Sequence, residues 1–201
     1  MGIYAIKPRF QELLSPVSNL CISHKIHPNT INLFGLLISL IMALSFFMGD
    51  KNEMLYLILP MGAFLRTASN ALDGMVARGL KLSSRVGDVY NEFIDRVSDM
   101  AIFLSVALSG HGRVELGMIA ISLVLLSSYL GILGKASGGS RVFAGILGKA
   151  DRMILIGVMG ILSFYKFDYW DIFYSIVIVG ALITIVQRFM IIKKELTDEL
   201  N

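Results

Sequence analysis

From Thr30 to Gly49 the chain runs for 20 residues without a charge, and from Leu116 to Gly134 for 19. Apolar runs of about 18 residues or more predict helices that cross a membrane. Four further apolar segments are flanked or punctured by charge: Met54 to about Arg78, Gly87 to Gly110, Met153 to Tyr165, and Ile172 to Gln187. Together they predict six transmembrane helices in an all-α integral membrane protein, with 30–193 as the bundle and 1–201 as a single domain. Ahead of the bundle, within 1–29, Ile3, Ile6, Phe10, Leu13 and Leu14 recur at roughly helical spacing among Lys7, Arg9 and Glu12. That pattern predicts an amphipathic segment lying in the membrane interface; no compact apolar stretch with a small-residue cleavage site marks a signal peptide. His27-Pro28-Asn29-Thr30 opens the first span, with Pro near the helix start and Asn or Thr as caps. Pro60 predicts a kink in the second span. The longest loop, K-A-S-G-G-S-R-V-F-A-G-I-L-G from Lys135 to Gly148, is rich in Gly and Ser. Residues 194–201 form a polar tail expected to fray.

Composition agrees with the pattern. Of the 201 residues, 55% are hydrophobic and 16% charged, where soluble domains carry about a quarter. Charge placement adds a direction. With the N-terminus in the cytoplasm and six alternating spans, only Lys51, Arg113 and Lys166 fall on the far side. Arg66 and Arg96 lie within spans, and the other 13 of the 18 Lys and Arg are cytoplasmic. This asymmetry obeys the positive-inside rule and puts both termini in the cytoplasm. The net charge of +3 follows from it. No basic, aromatic-interleaved patch points to nucleic acid. Cys21 is a single cysteine, so no internal disulfide forms.

The acids are concentrated. Asp73, Asp88, Glu92, Asp95 and Asp99 are 5 of the 15 Asp and Glu, all between Asn70 and Asp99. On helical projection Arg66, Asn70, Asp73 and Ala77 share about 60° of arc, and Asp88, Asn91, Glu92, Asp95 and Asp99 about 100°. Each helix thus carries one polar stripe toward its cytoplasmic end, and the two stripes can meet across a cavity open to the cytoplasm. Ionisable groups at membrane depth mark functional sites. Clustered carboxylates with amide oxygens suit hard cations such as Mg²⁺ or Mn²⁺, which complete their shells with substrate phosphates. A spare carboxylate can take a proton from a hydroxyl. Arg66 and Arg96 either pair with the acids as helix locks or take part in the site, and Asp99 either supports Asp95 or binds Arg96.

At these residues the sequence resembles the CDP-alcohol phosphotransferase family, whose signature is D-x2-D-G-x2-A-R-x8-G-x3-D-x3-D. Asp73, Gly74, Ala77, Arg78, Gly87 and Asp95 match in identity and spacing. Asn70 and Asn91 stand where the family has its first and third Asp. The resemblance implies that the first three positions ligate a pair of divalent cations and that the fourth deprotonates the acceptor alcohol. Carried over, Asn70, Asp73 and Asn91 are metal ligands, Asp95 is ligand or base, and Glu92 or Asp88 can restore lost charge. Gly74, Ala77, Arg78 and Gly87 would then bind the nucleotide. The implied reaction moves a substituted phosphate, phosphatidyl when the donor is CDP-diacylglycerol, to an acceptor alcohol and releases CMP, in phospholipid biosynthesis. The family also implies a homodimer.

Arg141 in the Gly-rich loop, with Lys149 and Arg152 in L-G-K-A-D-R, falls on the same side as the acids. These three either bind an anionic acceptor such as a sugar phosphate or are ordinary positive-inside flanks. Two other readings stay open: a catalytically silent relative that binds CDP-lipid or metal as a partner subunit, motivated by the two Asn, and an ion transporter. The fourth to sixth spans carry no acid in their middles, which weighs against transport.

Overall fold

The computed structural model describes residues 7–198. Ile3 and Ile6 of the expected amphipathic segment, and 199–201 of the tail, lie outside the described residues. Those described form seven α-helices: α1 Lys7–Ser23, α2 Pro28–Gly49, α3 Ile58–Gly79, α4 Arg85–Leu108, α5 Val114–Ala136, α6 Lys149–Phe164 and α7 Trp170–Asp198. A 3-10 turn, Glu53–Leu57, precedes α3. The helix starts obey local chemistry. Pro28 occupies the first position of α2, but His27 caps it rather than Asn29 or Thr30: its Nδ1 accepts from the Asn29 N–H at 3.1 Å. Ser84 caps α4 by accepting from the Gly87 N–H at 3.0 Å. Pro60 produces no mid-span kink. It sits in the first turn of α3, where a missing N–H removes no helical bond.

The six expected spans correspond to α2–α7, but three helices, α2, α5 and α7, are long and apolar enough to cross a membrane by length and composition. The others fall short for physical reasons. Helices α3 and α4 carry Arg66, Asp73, Asp95 and Asp99 in their buried faces. Helix α6 has 16 residues, fewer than the ~20 that span the hydrocarbon core.

Helix α2 lies at the centre, with α3 and α4 both packed on it. Helix α5 packs on α4 and α7, α6 on α3, and α1 also on α3. The apolar core includes Met42, Phe46, Leu59, Ile102, Phe103, Ile156 and Tyr174. Gly160 lets α6 approach α3: a Cβ there would stand 2.6 Å from the Leu59 Cβ. Outward faces are also apolar, with Phe34, Leu37, Leu126, Ile176 and Val186 exposed, as expected of a surface solvated by lipid tails. The tail does not fray where it is described. Helix α7 continues to Asp198, and Glu195 accepts from Ser140 N at 2.8 Å and Ser140 Oγ at 2.9 Å, which ties α7 to the Gly-rich loop.

One end of the bundle is closed by a polar network of hydrogen bonds. Tyr56 donates to Asp50 Oδ1 at 2.6 Å, so its oxygen accepts from His111 Nε2–H at 2.8 Å. Ser109 Oγ lies 2.6 Å from the other imidazole nitrogen, and Tyr174 donates to the His111 carbonyl at 3.0 Å. Trp170 and Phe46 meet the imidazole edge-on. Burial pushes the His111 pKa below the ordinary imidazole value, with Asp50 and Asp168 opposing. The unfolded chain therefore takes up this proton more readily than the folded one, and the stability contribution, complete above about pH 6.5, is lost as pH falls below it. Melting in detergent is expected to drop between pH 7.5 and 5.5, and His111→Gln to flatten that dependence while lowering the melting temperature throughout. An unchanged slope in the variant would refute the assignment.

Candidate active site

Helices α3 and α4 each pack on α2 but not on each other: no Cα of one comes within 8 Å of a Cα of the other. Nor does α4 pack against α6 in this sense. The two polar stripes therefore face across a gap, as the helical projection predicts, but the gap is not an open cavity. Long cationic side chains cross it. From α3, Arg66 donates to Asp95 Oδ1 at 2.7 Å and also to Asn70 Oδ1. From α6, Lys149 pairs with the same Asp95 oxygen, and Arg152 donates to Asp99 Oδ2 at 3.1 Å. Arg96 lies along the α4 stripe, 3.7 Å from Asp99, 3.8 Å from Glu92 and 3.9 Å from Asp95 Oδ2.

Arg66, Arg152, Asp73, Asp95 and Asp99 are all buried. Charges removed from water are tolerated only when paired, and each of these except Asp73 has an ion-pair partner. Asp73 accepts from the Gly74 N–H at 2.7 Å through Oδ1. Arg78, exposed at the end of α3, lies back over Gly74: a Cβ on that glycine would stand 3.3 Å from Arg78 NH1. Ala77 is half-buried on the same helix, and Gly87 sits in the capped first turn of α4. Asp88 is exposed and bonded to Lys135 at 2.8 Å, away from the buried cluster.

The loop between α5 and α6 is pinned over this end. Arg141 pairs with Glu92 and stacks on the Phe143 ring at 4.6 Å. Leu147 N donates to Thr184 at 3.1 Å, and the Gly148 N–H to Asp151 at 2.8 Å. The three basic residues expected on the acceptor side thus converge on the acids, each already paired with a carboxylate of α4. Arg188 of α7 joins this end and was missed as a flank of the last apolar run. It is buried, and donates to Ala144 O at 2.8 Å and Ser127 O at 2.5 Å, with Gly131 leaving it room. A lone Arg after 16 uncharged residues was the available signal.

Among the described residues no three His, Cys, Asp or Glu side chains gather as a metal set, because two signature positions are amides. Hard oxygens that make no hydrogen bond are nevertheless present. Asn91 Oδ1 and Glu92 Oε2 are buried without a hydrogen-bond partner. With Asp73 they fit a divalent cation whose shell is completed by substrate phosphates. Two open cavities lie elsewhere: an apolar groove of about 340 Å³ between α2 and α3, lined by Ile38, Ile41, Met61 and Leu65, and a polar one of about 300 Å³ at the opposite end.

Paired charges buried at one end of an apolar helical bundle, in a spaced carboxylate and amide pattern, suit a membrane enzyme acting on phosphates. Residues 25–195 match the CDP-alcohol phosphatidyltransferase family, and the chain belongs to it. It is a membrane transferase of phospholipid biosynthesis, moving a substituted phosphate from a CDP-alcohol to an acceptor alcohol with release of CMP. Among its relatives, the archaetidylinositol phosphate synthase of Pyrococcus horikoshii is 29% identical over 95% of this chain and 96% of the relative. Inner membrane protein YnbA of Escherichia coli is 35% identical over 80% of each chain. The structure of the Mycobacterium tuberculosis phosphatidylinositol phosphate synthase with CDP-DAG bound superposes with a TM-score of 0.70 at 25% identity, covering 90% of this chain and 94% of that one. The same synthase is known in complex with manganese and citrate, at a TM-score of 0.69 and 25% identity over 88% of this chain and 87% of that one.

Removing one partner of a buried ion pair costs about 3–5 kcal/mol because a charge is left behind. Arg152→Met is therefore expected to lower unfolding stability by roughly 3 kcal/mol, and adding Asp99→Leu to recover most of the loss. Denaturant titration in mixed micelles checks both. Additive losses in the double variant would show that the pair is not coupled.

Proposed function

We propose that the chain transfers the phosphatidyl group of CDP-diacylglycerol to a phosphorylated polyol at the cytoplasmic membrane face, with Asp95 as base and Mg²⁺ or Mn²⁺ as cofactor. The observation that carries the acceptor assignment is the convergence of Arg141, Lys149 and Arg152 on the α4 acids. Three cations beside one phosphoryl-transfer site suit a second phosphate group. The relatives that make archaetidylinositol phosphate and phosphatidylinositol phosphate support the same choice.

Asp73, Asn91 and Glu92 would hold the cation, with Asn70 and Asp95 beside them. A bound divalent cation supplies neutralisation of pyrophosphate charge. Asp95 Oδ1 is taken by Arg66 and Lys149, while Oδ2 has Arg96 at 3.9 Å. That second oxygen is the one that accepts the acceptor's hydroxyl proton. The acceptor oxygen then bonds to the β-phosphorus, the bond from β-phosphorus to the bridging oxygen breaks, and CMP leaves with its new charge beside Arg78. Gly74 and Ala77 leave space for the cytidine against α3, and Gly87 for the first turn of α4.

Helices α2–α7 all cross the membrane in this reading, and α1 lies in the interface. Exposed Met61, Phe64, Phe93, Met100, Ile154 and Val158 support it: α3, α4 and α6 turn apolar faces outward and charged faces inward. The Lys and Arg asymmetry supports cytoplasmic termini and active site. The family resemblance extends the reading to a homodimer.

CMP release from CDP-diacylglycerol is expected with Mn²⁺ or Mg²⁺ and a polyol phosphate, and not with the unphosphorylated polyol. Asp95→Asn and Asp73→Asn should each reduce it more than 100-fold, in line with loss of a positioned base or ligand. Lys149→Met should raise KM for the phosphorylated acceptor more than it lowers kcat. Donor binding without CMP release for any acceptor would instead establish a silent binding subunit.

A further inference from the structure

Asn70 and Asn91 remove two negative charges from the signature, and Arg66 adds a positive one between its first and last positions. We infer that Arg66 is a resident cation of the active site, that it stands in place of a second metal ion, and that the site takes one divalent cation rather than two. The inference rests on the metal-dependent transferase reading above.

The guanidinium is built in. Arg66 is 2% exposed and lies one turn before Asn70 on α3. One of its nitrogens donates to Asn70 Oδ1 and another to Asp95 Oδ1 at 2.7 Å. It therefore joins the first and fourth signature positions across the gap between α3 and α4. Helix α2 is cut back to admit it: a Cβ on Gly35 would stand 3.2 Å from Arg66 NH1 and 3.3 Å from the Ser69 Cβ. Arg does not lose its proton in a protein, so the charge is permanent.

The charge count follows. Arg66 and Lys149 both pair with Asp95 Oδ1, and their two positive charges outweigh its one negative charge. The amide of Asn70 accepts a guanidinium hydrogen bond without adding charge, and its oxygen is thereby used. What remains for a metal is the Asp73 carboxylate, with Asn91 Oδ1 and the Glu92 carboxylate oxygen Oε2, neither of which has a hydrogen bond. That set suits one divalent cation sharing substrate phosphates. A second, about 4 Å from the first as in two-metal sites, would have Asn70 and Asp95 as its nearest ligands. Both are held by Arg66, whose charge would repel it at short range in a buried setting.

The test is Mn²⁺ stoichiometry on the purified full chain in detergent with CDP-diacylglycerol, read by electron paramagnetic resonance, alongside CMP release. Wild type is expected to bind one Mn²⁺ with an uncoupled spectrum. Asn70→Asp/Asn91→Asp, with Arg66 kept, should still bind one. Adding Arg66→Gln to that pair should raise the stoichiometry to two, with spin coupling. Gln keeps hydrogen bonds across the gap. If that triple variant does not give a monodisperse peak, Arg66→Met in the same background is read instead. Two coupled Mn²⁺ in wild type, or two in the double variant, overturn the inference, as does a single Mn²⁺ once Arg66 is gone. Two Mn²⁺ in wild type with CMP release would leave the transferase reading intact. One Mn²⁺ in wild type and two in the triple variant, without CMP release for any acceptor, would sink the transferase reading and leave Arg66 in its role.

Discussion

Helix α4 is tied to α3 and α6 by buried charges that cross a gap between backbones. Its apolar faces pack on α2 and α5, but across the gap toward α3 and α6 it is held by Arg66, Lys149 and Arg152 reaching to Asp95 and Asp99. Buried ions contribute little net stability when paired and are strongly destabilising when not. The spacing of three helices therefore depends on a charge balance, and the same charges line the candidate active site. A change in that balance alters fold and chemistry together.

The two ends of the bundle solve the same problem differently. At one end Tyr56, His111, Ser109 and Asp50 close the helices with hydrogen bonds among aromatic rings, and burial favours the neutral imidazole. At the other, ion pairs span a space kept open between backbones. Apolar packing would close such a gap. Long cationic side chains hold it at a fixed width and leave polar atoms, such as Asn91 Oδ1 and Glu92 Oε2, for a ligand. The Gly-rich loop covers this end because Thr184, Arg188 and Glu195 of α7 bond its backbone. The amides at 70 and 91 then read as part of a consistent arrangement. Arg66 needs one acidic partner and one neutral acceptor, and Asp95 with Asn70 supplies both.

Much of this was legible in the sequence. Apolar run length located every helix from α2 to α7, because 3.6-residue periodicity and local caps act over a few residues. Spacing alone placed Asp73, Asp95 and their glycines in one signature and put the acids on one face of each helix. The errors were also local in origin. Pro60 read as a kink because the 3-10 turn before α3 was not visible, and the tail read as frayed because Glu195 meets Ser140, 55 positions away. The length and composition needed to cross a membrane, met by α2, α5 and α7, are missed by α3 and α4 through their charges and by α6 through its 16 residues.

What the sequence determined by itself is the set of helices, the family and the residue types at the site, all of which follow from short-range pattern. Which cation meets which acid was decided only by the tertiary structure. Arg66 to Asp95, Lys149 to Asp95, Arg141 to Glu92 and Arg152 to Asp99 join residues 29 to 54 positions apart on different elements. Charge is readable along a chain, but pairing requires the distance between helices, and α2 sets that distance by packing against both α3 and α4 and holding them apart.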